Sequence, residues 1–460
     1  MLAPLLRESF FLWRLLFGAL ESGGEFGHWK TSHLDENLVP AFALDLTNLL
    51  AGLMWFVVLA WLVSSVLMLY GLSQQQALSP IDNLHWQTDD APLVSVLVPA
   101  RNEEHRVLAE CIHSILAQDY RSFEVIALND RSTDGTGAIL ESLARADARL
   151  HVITGEEPPA GWLGKPYAMQ QALAQARGEW ILATDADMIF DKTVLRTAVA
   201  DALAHEADAV TLIPHFETRA FWERVMIPTW YWVLLLFSVI YRVNNPRSPG
   251  AVGVGGFFLL RRAILERAGG YGALKDEVLE DVRLAETIKR SGGRLRIEHA
   301  PRLLRTRMFR SFDEMWECCT KNLYSGMNFS LPYALSSVFS MYLIAVAPPL
   351  IALASALAIA TGVGPGLWRV FILAALSWLM QILVLVIASV RSDVSPIYAL
   401  TAPLGLGMFY AMLFDSSLRI TMGRGVSWKG RRIYEHAGVS PPRTRAMAFF
   451  RQREKGERQR

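Results

Sequence analysis

The sequence predicts an α/β domain built on a parallel sheet and fixed to a membrane by apolar helices, on three observations. Short apolar runs alternate with helix-period segments between about residues 91 and 324. Nearly uncharged stretches of membrane-crossing length lie on both sides of that region. One predicted strand closes on Asp185-Ala186-Asp187, two carboxylates at the strand end where an open α/β sheet binds ligands.

Residues 94–99, 123–128 and 180–184 are the predicted strands, each apolar or β-branched and each ending in a polar cluster. Ser132-Thr133-Asp134 is placed to cap a helix running to about Arg145, with Asp134 favoured near the positive end of its dipole. A second helix is expected over 165–177, stopped by Gly178, and a third over 279–291, stopped by Gly292-Gly293. The third has Val282, Leu284, Ala285 and Ile288 for a buried face, so Glu280 and Asp281 open it where backbone N–H groups favour negative charge.

At 460 residues, 52% hydrophobic, with a mean hydropathy of +0.24, the chain is too apolar for a simple soluble enzyme. We expect an interfacial segment over 1–48, where Arg7 and Arg14 interrupt an apolar run, and a transmembrane helix over 49–71 without a signal-peptide cleavage pattern. A polar linker (72–91), a water-facing domain (92–329), a C-terminal membrane region (330–418) and a basic tail (419–460) follow. Within the membrane region, 333–360, 371–390 and 397–414 are the candidate spans.

From Arg419 onward, twelve basic residues face three glutamates, a surplus of nine within a whole-chain net charge of only +1. The positive-inside rule puts that tail in the cytoplasm, and its place after a span favours anionic lipid over nucleic acid as its partner. Three spans after a cytoplasmic domain would put the tail on the wrong side. The segment 330–361, with Pro348-Pro349 at its middle, is therefore expected to fold as a hairpin of two short pieces. Residues 226–243, bracketed by Arg224 and Arg242 and carrying Trp230, Tyr231 and Trp232, are expected to lie in the membrane interface. Three cysteines, of which Cys318 and Cys319 are adjacent, give neither a disulfide framework nor a zinc spacing, and no His-x-x-x-His pair exists.

Five motifs fall in a fixed order: Pro99-Ala-Arg101-Asn-Glu103 after the first strand, Asn129-Asp130 to Thr136 after the second, Lys165 at a helix start, Asp185-Ala-Asp187, and Glu280-Asp281. In this order they resemble the family 2 glycosyltransferases of GT-A fold, over about residues 94–304. Gly161-Trp-Leu-Gly-Lys165, Trp316 with Lys321-Asn322, and Gly423 to Arg431 make the chain similar to the membrane-bound subgroup containing hopanoid-associated and carotenoid glycosyltransferases.

The resemblance implies a Rossmann-like mixed sheet with helices on both faces and an inverting transfer of one sugar from a nucleotide diphosphate, UDP in the first instance, to a lipid hydroxyl. It implies a donor site formed by Pro99, Arg101, Glu103, Asp130, Lys165 and Asp185, with Asp130 accepting the N3–H of uracil. Asp187 would bind Mn²⁺ or Mg²⁺, whose charge would stabilise the departing diphosphate. Asp281 would be the general base, Glu280 its neighbour in the catalytic pair, and Gly255 and Gly256 an acceptor-side segment. Two readings stay open for Lys165, a diphosphate contact or a solvated first-turn lysine, and two for the glycines, an acceptor wall or a plain turn before a strand at 257–260.

A processive polysaccharide synthase is the first alternative. Its Gln-x-x-Arg-Trp signature is missing, since no Arg-Trp dipeptide occurs in the chain, and Arg305, Arg307, Arg310 and Lys321 are the candidates for the diphosphate contact instead. A non-catalytic membrane scaffold is the second. The expected partners are the nucleotide-sugar, a lipid acceptor and the bilayer, with no nucleic acid and no protein partner known; the expected place is the inner membrane, multi-pass, with the domain facing the cytoplasm.

Overall fold

The computed structural model of the chain describes residues 38–75, 77–78, 91–237, 240–362, 365–435 and 439–442. Most of the expected interfacial segment, most of the linker and the end of the tail lie outside these residues. Helix α1 (Leu38–Ser73) leads into the sheet domain: β1 (Val94–Ala100), α2 (Leu108–Leu116), β2 (Phe123–Asn129), α3 (Thr136–Ala146), β3 (Leu150–Thr154), α4 (Gly164–Gln175), β4 (Trp180–Ala183), β5 (Met188–Phe190), α5 (Val194–Ala204), β6 (Ala209–Ile213) and β7 (His215–Phe216). Then come α6 (Phe221–Phe237), β8 (Phe258–Arg261), α7 (Glu280–Arg290), β9 (Leu295–His299), β10 (Leu304–Thr306) and α8 (Phe312–Gly326). The C-terminal part holds α9 (Leu331–Met341), α10 (Ala347–Ala360), α11 (Trp368–Arg391), α12 (Ala402–Thr421), β11 (Arg424–Trp428) and β12 (Arg431–Glu435).

Seven strands form the main sheet in the order β3-β2-β1-β4-β8-β6-β9, with β8 antiparallel to both neighbours and the other pairs parallel. The sheet is therefore mixed, as in the GT-A fold. Apolar side chains from alternate positions fill two cores: Val96, Val98 and Val125 face α2 and α5, while Leu97, Ile126 and Ile181 face α4 and α7. This two-sided burial is why these strands read as continuous apolar runs rather than alternating ones. Register puts Ala100 opposite Asn129 and Leu97 opposite Ala183, so the loops after β1, β2 and β4 leave the sheet at one edge.

Two helix ends differ from expectation for local reasons. Asp134 serves α3 from outside it, with Oδ1 accepting from Thr136 N at 3.0 Å while Oδ2 accepts from Glu104 N at 3.1 Å. Helix α4 stops at Gln175, before Gly178. Gly178 is required by crowding instead, since a Cβ there would lie 2.6 Å from Ser95 N, and the adjacent Arg177 is held by the buried Glu124 at 2.6 Å.

Among the described residues four helical stretches are long and apolar enough to cross a membrane: Thr47–Ser73, Leu331–Ala360, Trp368–Arg391 and Pro396–Thr421. The expected hairpin at Pro348-Pro349 is absent, because 331–360 is continuous helix with a π turn over Tyr342–Val346. Prolines lack the N–H that would reach the carbonyls four residues earlier, those of Ile344 and Ala345. Neighbouring helices supply both donors: Trp61 Nε1 reaches Ile344 O at 3.0 Å and Gln381 Nε2 reaches Ala345 O at 3.1 Å. Gln381→Leu is expected to lower stability by about 1–3 kcal/mol, the cost of one orphaned buried carbonyl; thermal unfolding in detergent measures it.

Residues 226–237 belong to a helix, as expected, but with partners the sequence did not suggest. Helix α6 lies between the sheet domain and the membrane helices, with Met226, Ile227, Trp232 and Val233 buried. Its tryptophans find protein partners rather than lipid: Trp232 Nε1 donates to Ser64 Oγ at 3.2 Å, and Trp230 packs edge-on against Phe409 of α12.

Candidate active site

The three loops at the shared sheet edge, the start of α7 and the β11–β12 hairpin enclose a cleft of about 810 Å³. Pro99, Arg101, Glu103, Asp130, Lys165, Asp185, Asp187, Gly255, Gly256, Glu280 and Asp281 all line it, although they come from positions up to 182 residues apart in the chain.

At its floor, Lys165 Nζ bridges two acids, 2.7 Å from Asp185 Oδ1 and 2.7 Å from Glu280 Oε1. Of the two readings of Lys165, solvation alone is thus excluded. Burial works against its charge, yet Asp185 and Glu280 hold its proton affinity well above the ordinary value. Lys165 and Asp185 each remain 39% exposed to the cleft, so water screens the pair and its contribution to stability is small. Burial pushes Asp185 up, but the Lys165 ammonium outweighs it and keeps this carboxyl below its usual range. Asp187 goes the other way: burial, and then the charge of Asp185, push it up to about 6. Glu280 is raised by burial and by Asp281, against the pull of Lys165.

Asp281 is fixed by two backbone donors, Val282 N to Oδ1 at 2.8 Å and Gly255 N to Oδ2 at 2.9 Å. The first comes from its own helix terminus and the second from the glycine segment before β8. A Cβ on Gly255 would lie 3.3 Å from Asp281 Oδ2, 3.4 Å from Asp185 Oδ2 and 3.4 Å from Lys165 Nζ. The missing side chain is what lets these three charged groups converge on one point, so Gly255 is more than a turn residue.

The opposite wall was not foreseen. Strands β11 and β12 pair antiparallel with Trp428 opposite Arg431, joined by Lys429-Gly430 with φ of 46° and 77°. Positive φ at both residues marks a type I′ turn. Its tip inserts at the donor-side acids: Lys429 pairs with Glu103, and Arg431 Nη1 lies 2.8 Å from Asp130 Oδ2. Tyr434 anchors the hairpin, donating to Asp276 O at 2.8 Å and accepting from Val278 N at 3.2 Å, just ahead of Glu280. Lys321 reaches the same wall, 4.1 Å over the ring of Trp428. Lys429 and Arg431, expected as part of a lipid-attracting tail, thus face the cleft. A Lys-Gly pair between the runs Gly423–Trp428 and Arg431–Glu435 is the signal that could have revealed the hairpin. Of the other cations considered, Arg305 pairs with Glu217 at 2.7 Å and Arg307 with Glu223 at 2.9 Å, away from the cleft lining.

The arrangement offers an oriented carboxylate (Asp281), a carboxylate pair with one member poised to take a cation (Asp185, Asp187) and a basic wall (Lys321, Lys429, Arg431). Among the described residues no three His, Cys, Asp or Glu side chains gather as a metal cage. Two carboxylates still suit a hard divalent ion, which takes its remaining ligands from phosphates and water. Burial and then the charge of Asp185 hold the proton affinity of Asp187 up, and a bound cation would offset both.

Residues 95–269 match the family model described as "Glycosyl transferase family 2". Glycosyltransferase GlyG of Streptococcus pneumoniae is 32% identical over 118 residues, 26% of this chain and 38% of that protein. The 4,4'-diaponeurosporenoate glycosyltransferase of Staphylococcus aureus is 24% identical over 252 residues, 53% of this chain and 64% of that protein. The chain thus spans less than two thirds of the length of either curated relative. Among solved structures, the mannosyltransferase PcManGT from Pyrobaculum calidifontis in complex with GDP-Man and Mn²⁺ is similar at 18% identity and a TM-score of 0.47, covering 80% of this chain and 98% of that one.

Proposed function

We propose that this chain, whose residues 95–269 match the family 2 glycosyltransferase model, moves one sugar from a nucleotide diphosphate donor, a UDP-sugar in our reading, onto the hydroxyl of a membrane lipid. The reading rests on one observation above all: Asp281, fixed by Gly255 N and Val282 N, stands in the same cleft as Asp130, Asp185 and Asp187.

Asp281 accepts the proton of the acceptor hydroxyl as its oxygen bonds to the anomeric carbon. The bond from that carbon to the diphosphate breaks on the opposite face, its electron pair leaving with the phosphate oxygen, so the anomeric configuration inverts. Lys165 holds Asp185 and Glu280 in place while this happens. Mn²⁺ or Mg²⁺, held by Asp187 with Asp185, would neutralise the diphosphate charge that grows in the transition state. On the donor side Asp130 and Glu103 receive the nucleoside, and the cations now paired with them, Arg431 and Lys429, turn to the phosphates. Replacing both (Lys429→Ala with Arg431→Ala) is expected to raise KM for the donor roughly a hundredfold to ten-thousandfold, since charged hydrogen bonds are worth about 1.5–3 kcal/mol each; steady-state donor titration checks it.

A lipid acceptor is supported by the cleft's other lining. Phe216, Trp230 and Met308 are apolar members of its wall, and Trp230 also packs on Phe409 of a membrane-type helix. The inner membrane, with the domain in the cytoplasm, is the place this reading requires, because nucleotide-sugars are cytoplasmic and the tail carries the positive surplus.

Purified protein in detergent, given UDP-sugars, Mn²⁺ and a total lipid extract, is expected to release UDP and label one lipid species by a single sugar. A ladder of chain lengths would overturn single transfer in favour of processive synthesis. Absence of donor binding across UDP- and GDP-sugars would overturn the enzymatic reading itself.

A further inference from the structure

We infer that helix α12, although long and apolar enough to span, lies within the leaflet on the catalytic side with its outer stripe against lipid acyl chains, so that the described residues cross the bilayer three times and the tail returns to the catalytic face.

Both ends of α12 are fastened to the sheet domain. Just before it, the ring of Tyr398 lies 6.0 Å from Phe221 and its hydroxyl accepts from Arg224 Nη1 at 3.3 Å. That part of α6 belongs to the water-facing domain, since Glu223 pairs with Arg307 and Trp222 packs on Phe312 at the start of α8. Towards its other end, Asp415 Oδ2 accepts from Trp316 Nε1 at 2.8 Å, and Thr421 Oγ1 lies 3.3 Å from the hydroxyl of Tyr324. The C-terminal part of the helix therefore lies against α8, while Gly405 and Phe409 nearer its start lie against α6. Helix α8 carries Asp313, Glu314, Glu317 and Lys321 and cannot enter hydrocarbon, where each charge would cost several kcal/mol. A crossing helix of 26 residues would separate its ends by roughly 30 Å or more along the membrane normal. Here both ends meet one domain.

The remaining helices are free of this restraint. The chain leaving α11 reaches the domain at Tyr398, whose hydroxyl accepts from Arg224 Nη1 at 3.3 Å, and the chain leaving α1 bonds to His299 O through Leu78 N at 2.8 Å. The C-terminal ends of α1 and α11 thus share the catalytic side, and 331–360 leaves from that side to reach the loop before α11. Two crossings between domain and tail then return the chain to its starting face, where Lys429 and Arg431 meet Glu103 and Asp130. On α12 itself Leu404, Phe414, Leu418 and Met422 are exposed in one stripe continuous with Ile397 and Leu400, while Leu406, Phe409 and Leu413 are buried against protein. The exposed stripe fits acyl chains because the crossing helices beside it present similar faces, such as Leu353 and Leu379.

Single cysteines in a background with Cys111, Cys318 and Cys319 changed to Ala test the inference in sealed vesicles of either orientation, using a membrane-impermeant maleimide. His151→Cys, Ser395→Cys and Arg424→Cys are expected to react from one side and Thr361→Cys from the other. Reaction of Ser395→Cys and Arg424→Cys from opposite sides would overturn it. Spin labels at Leu404→Cys and Phe414→Cys should both report shallower depth than one at Leu379→Cys, and a label at either position as deep as that at Leu379 would equally overturn it. Neither readout depends on donor, acceptor or turnover.

Discussion

Asp281→Asn is expected to lower kcat by about 10²–10⁴-fold while leaving donor affinity nearly unchanged, the span that a positioned general base contributes. The asparagine side chain matches the aspartate in shape, and its one carbonyl oxygen can still accept from Gly255 N at the cost of the bond from Val282 N, so the glycine segment keeps its place beside Lys165 and Asp185. What disappears is the capacity to take a proton. An acceptor hydroxyl must then reach the anomeric carbon unassisted. Single-turnover transfer measures the chemical step, and calorimetric titration with the nucleotide-sugar measures binding. Full turnover in Asp281→Asn would remove this residue from the reaction. A parallel loss of donor affinity would mean that the substitution had disturbed the cleft floor rather than the base.

Strands β1, β2 and β4 were legible because a strand buried on both faces has little freedom but to be continuously apolar, and the acids at their ends are short-range features of the chain. The convergence of Asp130, Asp187 and Asp281 followed only from the resemblance in motif order, because nothing local ties residues so far apart. A strand at 257–260 was one reading of the sequence, but its antiparallel direction was beyond reach, since so short a run carries no mark of direction. At Pro348-Pro349 the sequence misleads in a definite way. Two missing N–H groups argue for a break, and only the partners Trp61 and Gln381, 283 and 36 residues away from the carbonyls they cap, make the continuous helix tolerable.

The basic tail teaches the same lesson with the opposite sign. Composition gave Lys429 and Arg431 a diffuse role as part of a positive surplus, whereas the type I′ turn at Lys429-Gly430 gives each a specific carboxylate. Likewise the aromatic run Trp230-Tyr231-Trp232 has the composition of an interface anchor. Ser64 and Phe409 claim its tryptophan rings, and no count over a window reveals partners supplied by other helices.

Asp187→Asn is expected to reduce kcat/KM by about 10³-fold or more and to abolish stimulation by Mn²⁺ or Mg²⁺, a loss of roughly 4 kcal/mol in transition-state stabilisation. The wild-type protein supplies its own control through pH. Burial and Asp185 hold Asp187 up to about 6, so above that pH the carboxylate is available to a cation, and below it protons compete. Because the raised value favours the protonated form, apparent metal affinity should fall as pH drops through about 6, by up to about tenfold per unit for a single proton. Excess metal should restore it, since the competition is mutual. Lys165 limits how far the effect spreads, because its ammonium keeps Asp185 ionised over the same range. Titrations with donor and Mn²⁺ between about pH 5 and 8 measure this dependence. Wild-type activity that survives exhaustive chelation, or metal stimulation that persists in Asp187→Asn, would show that the departing diphosphate is neutralised by the basic wall of Lys321, Lys429 and Arg431 alone.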